Sequence, residues 1–293
     1  MISFVVLHYL VSDETIKTVN SILQFASESN IVIVDNCSPN NSFEVLTEEY
    51  RNEFRVKVLR NDSNAGYAQG INFGYQFAKS NYNPDFIVAM NNDMEITQTN
   101  FSTLVYRAYK KYHFHILGPD IYSTATGKHQ NPEKQSFRKL EDVEKEIEYI
   151  QELKKRQTSL SIKSFLKSIA VIDKLYYHFK KILKPTPFIE NDIEQAMLHG
   201  SFYIFSKEFI KTREYALYPK TNFYCEAQIL DYEAERDGLK RVYYPAIKIL
   251  HHEDKATNAV AGSHASKMNK KYERLLESLN VFKELIESDL LRS

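Results

Sequence analysis

Two cysteines in 293 residues, Cys37 and Cys225, are too few and too far apart for a zinc ribbon or a disulfide framework. Their scarcity excludes a small stapled domain and fits a reducing cytosol. Net charge is also absent. Lys+Arg and Asp+Glu each number 38, so no global field selects nucleic acid as a partner, and any charge argument must be local. No apolar run approaches the 18 or more residues that a membrane-spanning helix needs, so a protein integral to a membrane is not expected. The amino terminus, Met1 to His8, lacks a basic leader and reads as a first strand rather than a signal segment. What is present is 43% hydrophobic residues, enough to build a sizeable core in one large domain or two small ones.

Strand-like runs at 3–8, 31–34, 56–59 and 86–90 alternate with helix-period patterns at 13–27, 43–50, 67–79 and 100–111. That alternation predicts βαβ units and an α/β fold with a mainly parallel central sheet flanked by helices. Ser12 and Ser42 precede two of the helical patterns and are expected as N-caps. A short strand at 116–119 continues the sheet. After about Gln130 the composition changes. Residues 141–155 are rich in Glu and Lys at helical spacing, and 154–184 carry many cations beside apolar residues, until Pro185 and Pro187 stop the helix. Beyond this basic insertion, 199–205 reads as a strand, 227–237 as a helix closed by Gly238, 242–249 as an extended segment, and 264–291 as one long amphipathic helix.

Chemistry concentrates in a few places. The apolar run Phe86 to Met90 delivers Asn91-Asn92-Asp93, leaving a carboxylate at the carboxyl end of a buried strand, where open α/β sheets bind ligands. The strand Ile31 to Val34 likewise delivers Asp35 into the small polar turn Asn36-Cys37-Ser38. In Asn61 to Asn72, Gly66 and Gly70 allow close backbone approach at the mouth of a helix whose free N–H groups favour an anion. Taken together, in this order, these segments resemble the nucleotide-sugar half of glycosyltransferase family 2, the inverting enzymes with a GT-A fold. The carboxyl half adds to the resemblance through Gly200-Ser201-Phe202, Phe223-Tyr224-Cys225-Glu226 and Pro245 to His252.

The resemblance implies a division of labour. Asp93 matches the last acid of the family's metal-binding motif, although Asn91 replaces an acid often found at its first position, and one carboxylate in place of two should weaken metal affinity. Mn²⁺ or Mg²⁺ on Asp93 would neutralise the leaving diphosphate. His251, favoured over His252 by the register of the apolar residues, would join it. Asp35 would contact the base or ribose, with Cys37 standing where the family has glycine. Asn64, Gly66, Tyr67, Gly70 and Asn72 would line the donor pocket, with His8, Asn91 and Asn92 also on the donor side. Glu226 is expected as the general base, with Asp231 as the weaker candidate, because Ala227 and Gln228 occupy positions where acids are expected.

The resemblance thus implies a hexosyl- or deoxyhexosyl-transferase, rhamnosyltransferase-like, of the kind that builds capsule, O-antigen or other bacterial polysaccharide. Its partners would be a nucleotide-diphosphate sugar and a glycan or lipid-linked acceptor. The expected organisation is a donor half at 1–128, a basic insertion at 129–190, an acceptor and catalytic half at 191–262 and a terminal helix at 263–293. The apolar stripe beside dense positive charge in the insertion suggests a peripheral seat on anionic membrane at the cytoplasmic face, and the terminal helix suggests packing or a homodimer. Two other readings stay open: a non-catalytic nucleotide-sugar-binding scaffold, and a nucleotidyltransferase, which the lack of a glycine-rich, lysine-containing motif after the first strand disfavours.

Overall fold

Alternating side chains along β1 (Ile2–His8) bury Phe4 and Val6 on one face of a sheet and Val5 on the other, all three wholly out of solvent. A strand apolar on both faces needs cover on both sides, and this sheet has it. The computed structural model describes residues 1–133, 137, 139–159, 187–253 and 264–292. From β1 the chain runs through α1 (Ser12–Phe25), β2 (Asn30–Asp35), α2 (Ser42–Glu49), β3 (Val56–Arg60), α3 (Tyr67–Tyr82) and β4 (Phe86–Asn91). Then come β5 (Met94–Ile96), α4 (Phe101–Tyr112), β6 (Ile116–Ser123), β7 (Lys128–His129) and α5 (Leu140–Ser159). The carboxyl part holds β8 (Ile193–Glu194), β9 (Phe202–Ser206), α6 (Lys207–Thr212), α7 (Glu226–Arg236), β10 (Arg241–His251) and α8 (His264–Leu290).

The sheet order is β3-β2-β1-β4-β9-β6-β10-β5, with β7 beside β6 and β8 beside β10. Strands β1 to β4 are mutually parallel, as the βα alternation predicts, and β10 runs parallel to β6. Strand β9 is antiparallel to both neighbours and joins the two parallel parts. Helices α1, α2 and α4 cover one face through residues such as Val19, Ile22, Leu46 and Val105. The other face is covered by α3, α6 and α7 through Ile71, Tyr75, Phe209 and Leu230. Gly74 of α3 belongs to this packing, since a Cβ there would overlap Val5 and Val34.

A third cluster lies behind α7. Val143, Ile147 and Ile150 of α5 meet Leu279, Phe282 and Ile286 of α8, against Ile229 and Cys225, and Lys283 pairs with Glu144 at 2.8 Å. The terminal helix therefore packs on its own chain. The insertion's most basic stretch, 160–184, lies outside the described residues.

One expectation fails. Neither Ser12 nor Ser42 caps a helix: α1 begins at Ser12 with Val11 before it, and α2 at Ser42 with Asn41 before it, and neither N-cap makes a side-chain bond. The Ser42 hydroxyl is instead 2.8 Å from Nε2 of buried His8, a tertiary contact that local propensity does not encode.

Candidate functional site

Strand pairing assembles the site. Asp93 follows β4 in the turn that leads into β5. Because β5 pairs antiparallel with the end of β10, Met94 sits opposite His251 and the His252 N–H donates to the Asp93 carbonyl at 2.9 Å. Nε2 of His251 then lies 3.3 Å from Oδ1 of Asp93, with the two side chains 8% and 15% exposed. No donor satisfies that buried Oδ1. His252 turns the other way, to Glu95 at 2.6 Å and Thr124 at 3.2 Å. A hard carboxylate oxygen without a partner suits Mg²⁺ or Mn²⁺, while the imidazole nitrogen beside it is a softer ligand that favours a transition metal such as Mn²⁺ over Mg²⁺. Among the described residues no group of three or more His, Cys, Asp and Glu could hold a metal. A cation here would take its other ligands from phosphate and water, as Mg²⁺ commonly does.

Glu226 opens α7, and the two residues before it, Tyr224 and Cys225, both adopt left-handed backbone, at φ 73° and 65°. Such conformations are uncommon outside glycine and persist only where the surroundings enforce them. The Glu226 side chain is buried and its Oε1 has no partner. Burial raises its pKa to about 7, against the lowering effect of backbone N–H bonds at the helix start. A carboxyl group titrating near neutrality is fit for general base work. Tyr67 lies in the field of both acids. Its hydroxyl donates to the Gly200 carbonyl at 2.8 Å, and its pKa is raised by burial first and then by the charges of Glu226 and Asp93.

Two groups that the motifs do not single out join the same place. The His199 ring centroid stands 6.2 Å from that of His251, with Nδ1 2.8 Å from the Ser201 hydroxyl and Nε2 3.9 Å from Glu133. Burial, and then the neighbouring His251, lower the His199 pKa to about 4, so the ring is neutral. Burial raises the Glu133 pKa to about 6.

Many of the remaining candidates, expected on a donor side, are bonded within the protein. Asp35 is wholly buried, accepts from the Ser38 N–H, and has Arg60 at 3.4 Å and His8 at 3.8 Å. His8 is itself held between Thr15 and Ser42, and burial lowers its pKa to about 4. Asn64 accepts from Asn36 and from the Gly66 N–H. Asn72 donates to the Leu217 carbonyl and accepts from the Ala216 and Leu217 N–H groups. Asn92 donates to Thr15, and the Asn91 N–H bonds the Ser201 carbonyl.

The glycines permit close approach chiefly within the protein. A Cβ on Gly70 would overlap Leu7, and Gly66, at φ 88°, is pressed against the carbonyl of Asn222, which also accepts the Tyr67 N–H. The segments around Gly66 and Asn222 are thereby bonded to each other. An open pocket lined by Leu10, Val11, Ser12, Asp13 and Asn40 lies over the carboxyl ends of β1 and β2. Asp231 is engaged elsewhere, in a buried pair with Arg241 at 2.7 Å.

The family model described as Glycosyl transferase family 2 matches residues 3–171. Among solved structures the chain is similar to S. aureus TarS residues 1–349 in complex with UDP-GlcNAc, at 15% identity and a TM-score of 0.53, covering 99% of this chain and 71% of that one. It is similar to the same TarS piece in complex with UDP at 14% identity and a TM-score of 0.51, covering 91% and 68%. Against a longer TarS chain the values are 12% and 0.52, covering 86% of this chain and only 36% of that one, so the chain spans about a third of it. At these identities the likeness concerns the fold. No curated protein matches the chain.

Proposed function

The chain belongs to glycosyl transferase family 2 and is a glycosyltransferase of GT-A fold, and we propose that it is a metal-dependent, inverting enzyme using a nucleotide-diphosphate sugar. The observation that carries this reading is the unsatisfied Oδ1 of Asp93 facing Nε2 of His251. Asp93 and His251 would hold Mn²⁺ or Mg²⁺, which supplies Lewis-acid neutralisation of the departing diphosphate. Glu226 takes the proton from the acceptor hydroxyl. The loop from Asn61 to Gly66 and the pocket over β1 and β2 take the nucleotide, with Asp35 behind them. The TarS structures with UDP and UDP-GlcNAc support a nucleotide-sugar donor.

A glycan or lipid-linked acceptor in bacterial polysaccharide synthesis fits this reading, as do the four-part organisation expected from the sequence and a homodimer, which sedimentation at working concentration tests. No described helix is long and apolar enough to cross a membrane. We place the protein at an anionic surface through the basic insertion. Vesicle co-sedimentation that is unchanged by salt, or by Gln at Lys163, Lys167, Lys174, Lys180 and Lys181, would remove that placement.

Calorimetric titration of UDP with and without Mn²⁺ tests the core reading. Asp93→Ala should abolish the metal-dependent part of the affinity, and an unaltered titration would take Asp93 out of the site. The second reading is a non-catalytic nucleotide-sugar binder. Ala227, standing where an acid is expected, favours it, and donor binding without transfer or hydrolysis of any donor would establish it.

A further inference from the structure

We propose that Gln130 and Glu253 are positioning residues that hold His251 in the tautomer with its proton on Nδ1 and its Nε2 lone pair turned toward Asp93. The inference rests on reading Asp93 and His251 as ligands of a divalent cation. It starts at the outer end of a chain of hydrogen bonds. The Gln130 amide Nε2 donates to Oε1 of Glu253, because a carboxylate only accepts. The amide is thereby oriented, and its carbonyl Oε1 is left 2.7 Å from Nδ1 of His251. A carbonyl also only accepts, so Nδ1 must carry the proton, and in a neutral ring Nε2 must then be bare.

That bare nitrogen lies 3.3 Å from the Asp93 oxygen that has no donor. Two acceptors held so close, both largely shielded from water, repel each other, and the repulsion is relieved by a positive charge shared between them. The arrangement is maintained from outside. Gln130 is fixed by its own N–H bond to the Ile121 carbonyl, in the segment after β7, whereas His251 and Glu253 come from the end of β10. Neither Gln130 nor Glu253 contacts Asp93 in this network. They act through the ring. Partners of this kind, which fix the tautomer of a ligating histidine, commonly govern metal affinity by a factor of about 10 to 100.

The experiment uses the full chain, ¹⁵N-labelled and free of metal. Long-range ¹H–¹⁵N correlation spectra, with His251→Gln to identify the signals, should show the Nδ1–H tautomer in the wild type. Gln130→Met, which keeps the length but loses the acceptor, should mix the tautomers and weaken Mn²⁺ binding by about 10- to 100-fold. The exchange Gln130→Glu with Glu253→Gln keeps an acceptor at Nδ1 and a donor behind it, and should restore both properties to within a few-fold. That rescue distinguishes positioning from general damage to the fold, and it keeps the test valid if Gln130→Met folds poorly. An Nε2–H tautomer in the wild type, or unaltered tautomer and Mn²⁺ affinity in Gln130→Met, would overturn the proposal. If the tautomer responds as stated but the wild type binds no Mn²⁺ with or without UDP, the relay stands and the cation reading falls.

Discussion

Replacing Glu226 by Gln separates what this side chain does for the reaction from what it does to stability. Burial lifts its pKa from 4.5 to about 7, so the folded protein holds this proton more tightly than the unfolded chain does. The sign follows from that. Below about pH 4.5 the group is protonated in both states and costs nothing. As pH rises the unfolded chain ionises first, and the folded state loses stability progressively until the group ionises in the fold near pH 7. At about 1.36 kcal/mol for each pKa unit, the full penalty above that pH is on the order of 3 kcal/mol. The side chain is only 8% exposed, so screening by water takes little from this figure.

A glutamine has nearly the same shape and no charge to desolvate. Glu226→Gln should therefore be more stable than wild type by about 3 kcal/mol at pH 8, a rise in melting temperature of about 6 °C at roughly 2 °C per kcal/mol. Near pH 4.5 the two proteins should melt together. Urea midpoints and thermal scans at both pH values measure this. Transfer should show the reverse profile: wild-type kcat/KM climbs through about pH 7, whereas the variant stays flat and lower by a factor on the order of 10² or more. A variant no more stable than wild type at pH 8 would mean that the ionised carboxylate is satisfied in the fold, and the reasoning from burial to base would fail.

Gly66→Ala should cost on the order of 3 kcal/mol, because φ 88° is strained for any side chain and the new methyl meets the Asn222 carbonyl; an unchanged urea midpoint would show that the two loops do not need this approach. Asp231→Asn should also lose on the order of 3 kcal/mol, through its buried pair with Arg241. Its turnover per folded molecule should stay within about threefold of wild type, since a non-catalytic acid supplies no proton transfer, and a stable but inactive Asp231→Asn would move the base to that residue.

The parallel strands and their helices are legible because period-2 and period-3.6 patterns are local, and Asp93 could be placed because a carboxylate ending a buried strand has one location in such a sheet. Strand order is not local. Nothing in Phe202 to Ser206 indicates that β9 enters antiparallel between β4 and β6, since hydrophobic alternation is the same in either direction. The roles of the glycines were only half legible. The pattern shows that backbone must come close to something, and the fold shows that at Gly66 and Gly70 the something is Asn222 and Leu7. Gln130 and Glu253 carry no sequence signal, because they meet His251 across a separation of 121 residues on one side and an unremarkable loop on the other. Ser42 has the local pattern of a cap, and cap statistics carry no sign that His8 claims its hydroxyl.

The absence of an acid at 227 gives the sharpest test of which position serves the acceptor. Successive residues of a helix point about 100° apart, so a carboxylate at 226 does not reach where one at 227 would unless the helix starts differently. The left-handed pair Tyr224 and Cys225 leads into that start and sets how Glu226 enters the site. Ala227, one step on, lines a small void with Leu198, Tyr203 and Leu230, beside the buried Arg241 and Asp231. The Ala227 Cβ also faces Gly200, where an added Cβ would stand 3.8 Å away, so a carboxylate built at 227 lies between this void and the Gly200 loop, one helical step from where Glu226 enters. Ala227→Asp should destabilise the protein by no more than about 1–3 kcal/mol, the cost of a fully buried polar group without a matched partner, because this position is only partly buried. It should not rescue Glu226→Gln, whose transfer rate stays at about 1% of wild type or less in the double variant. Recovery of the double variant to a tenth of wild-type activity would show that position 227 faces the acceptor in this protein, and that Glu226 had been assigned a neighbour's work.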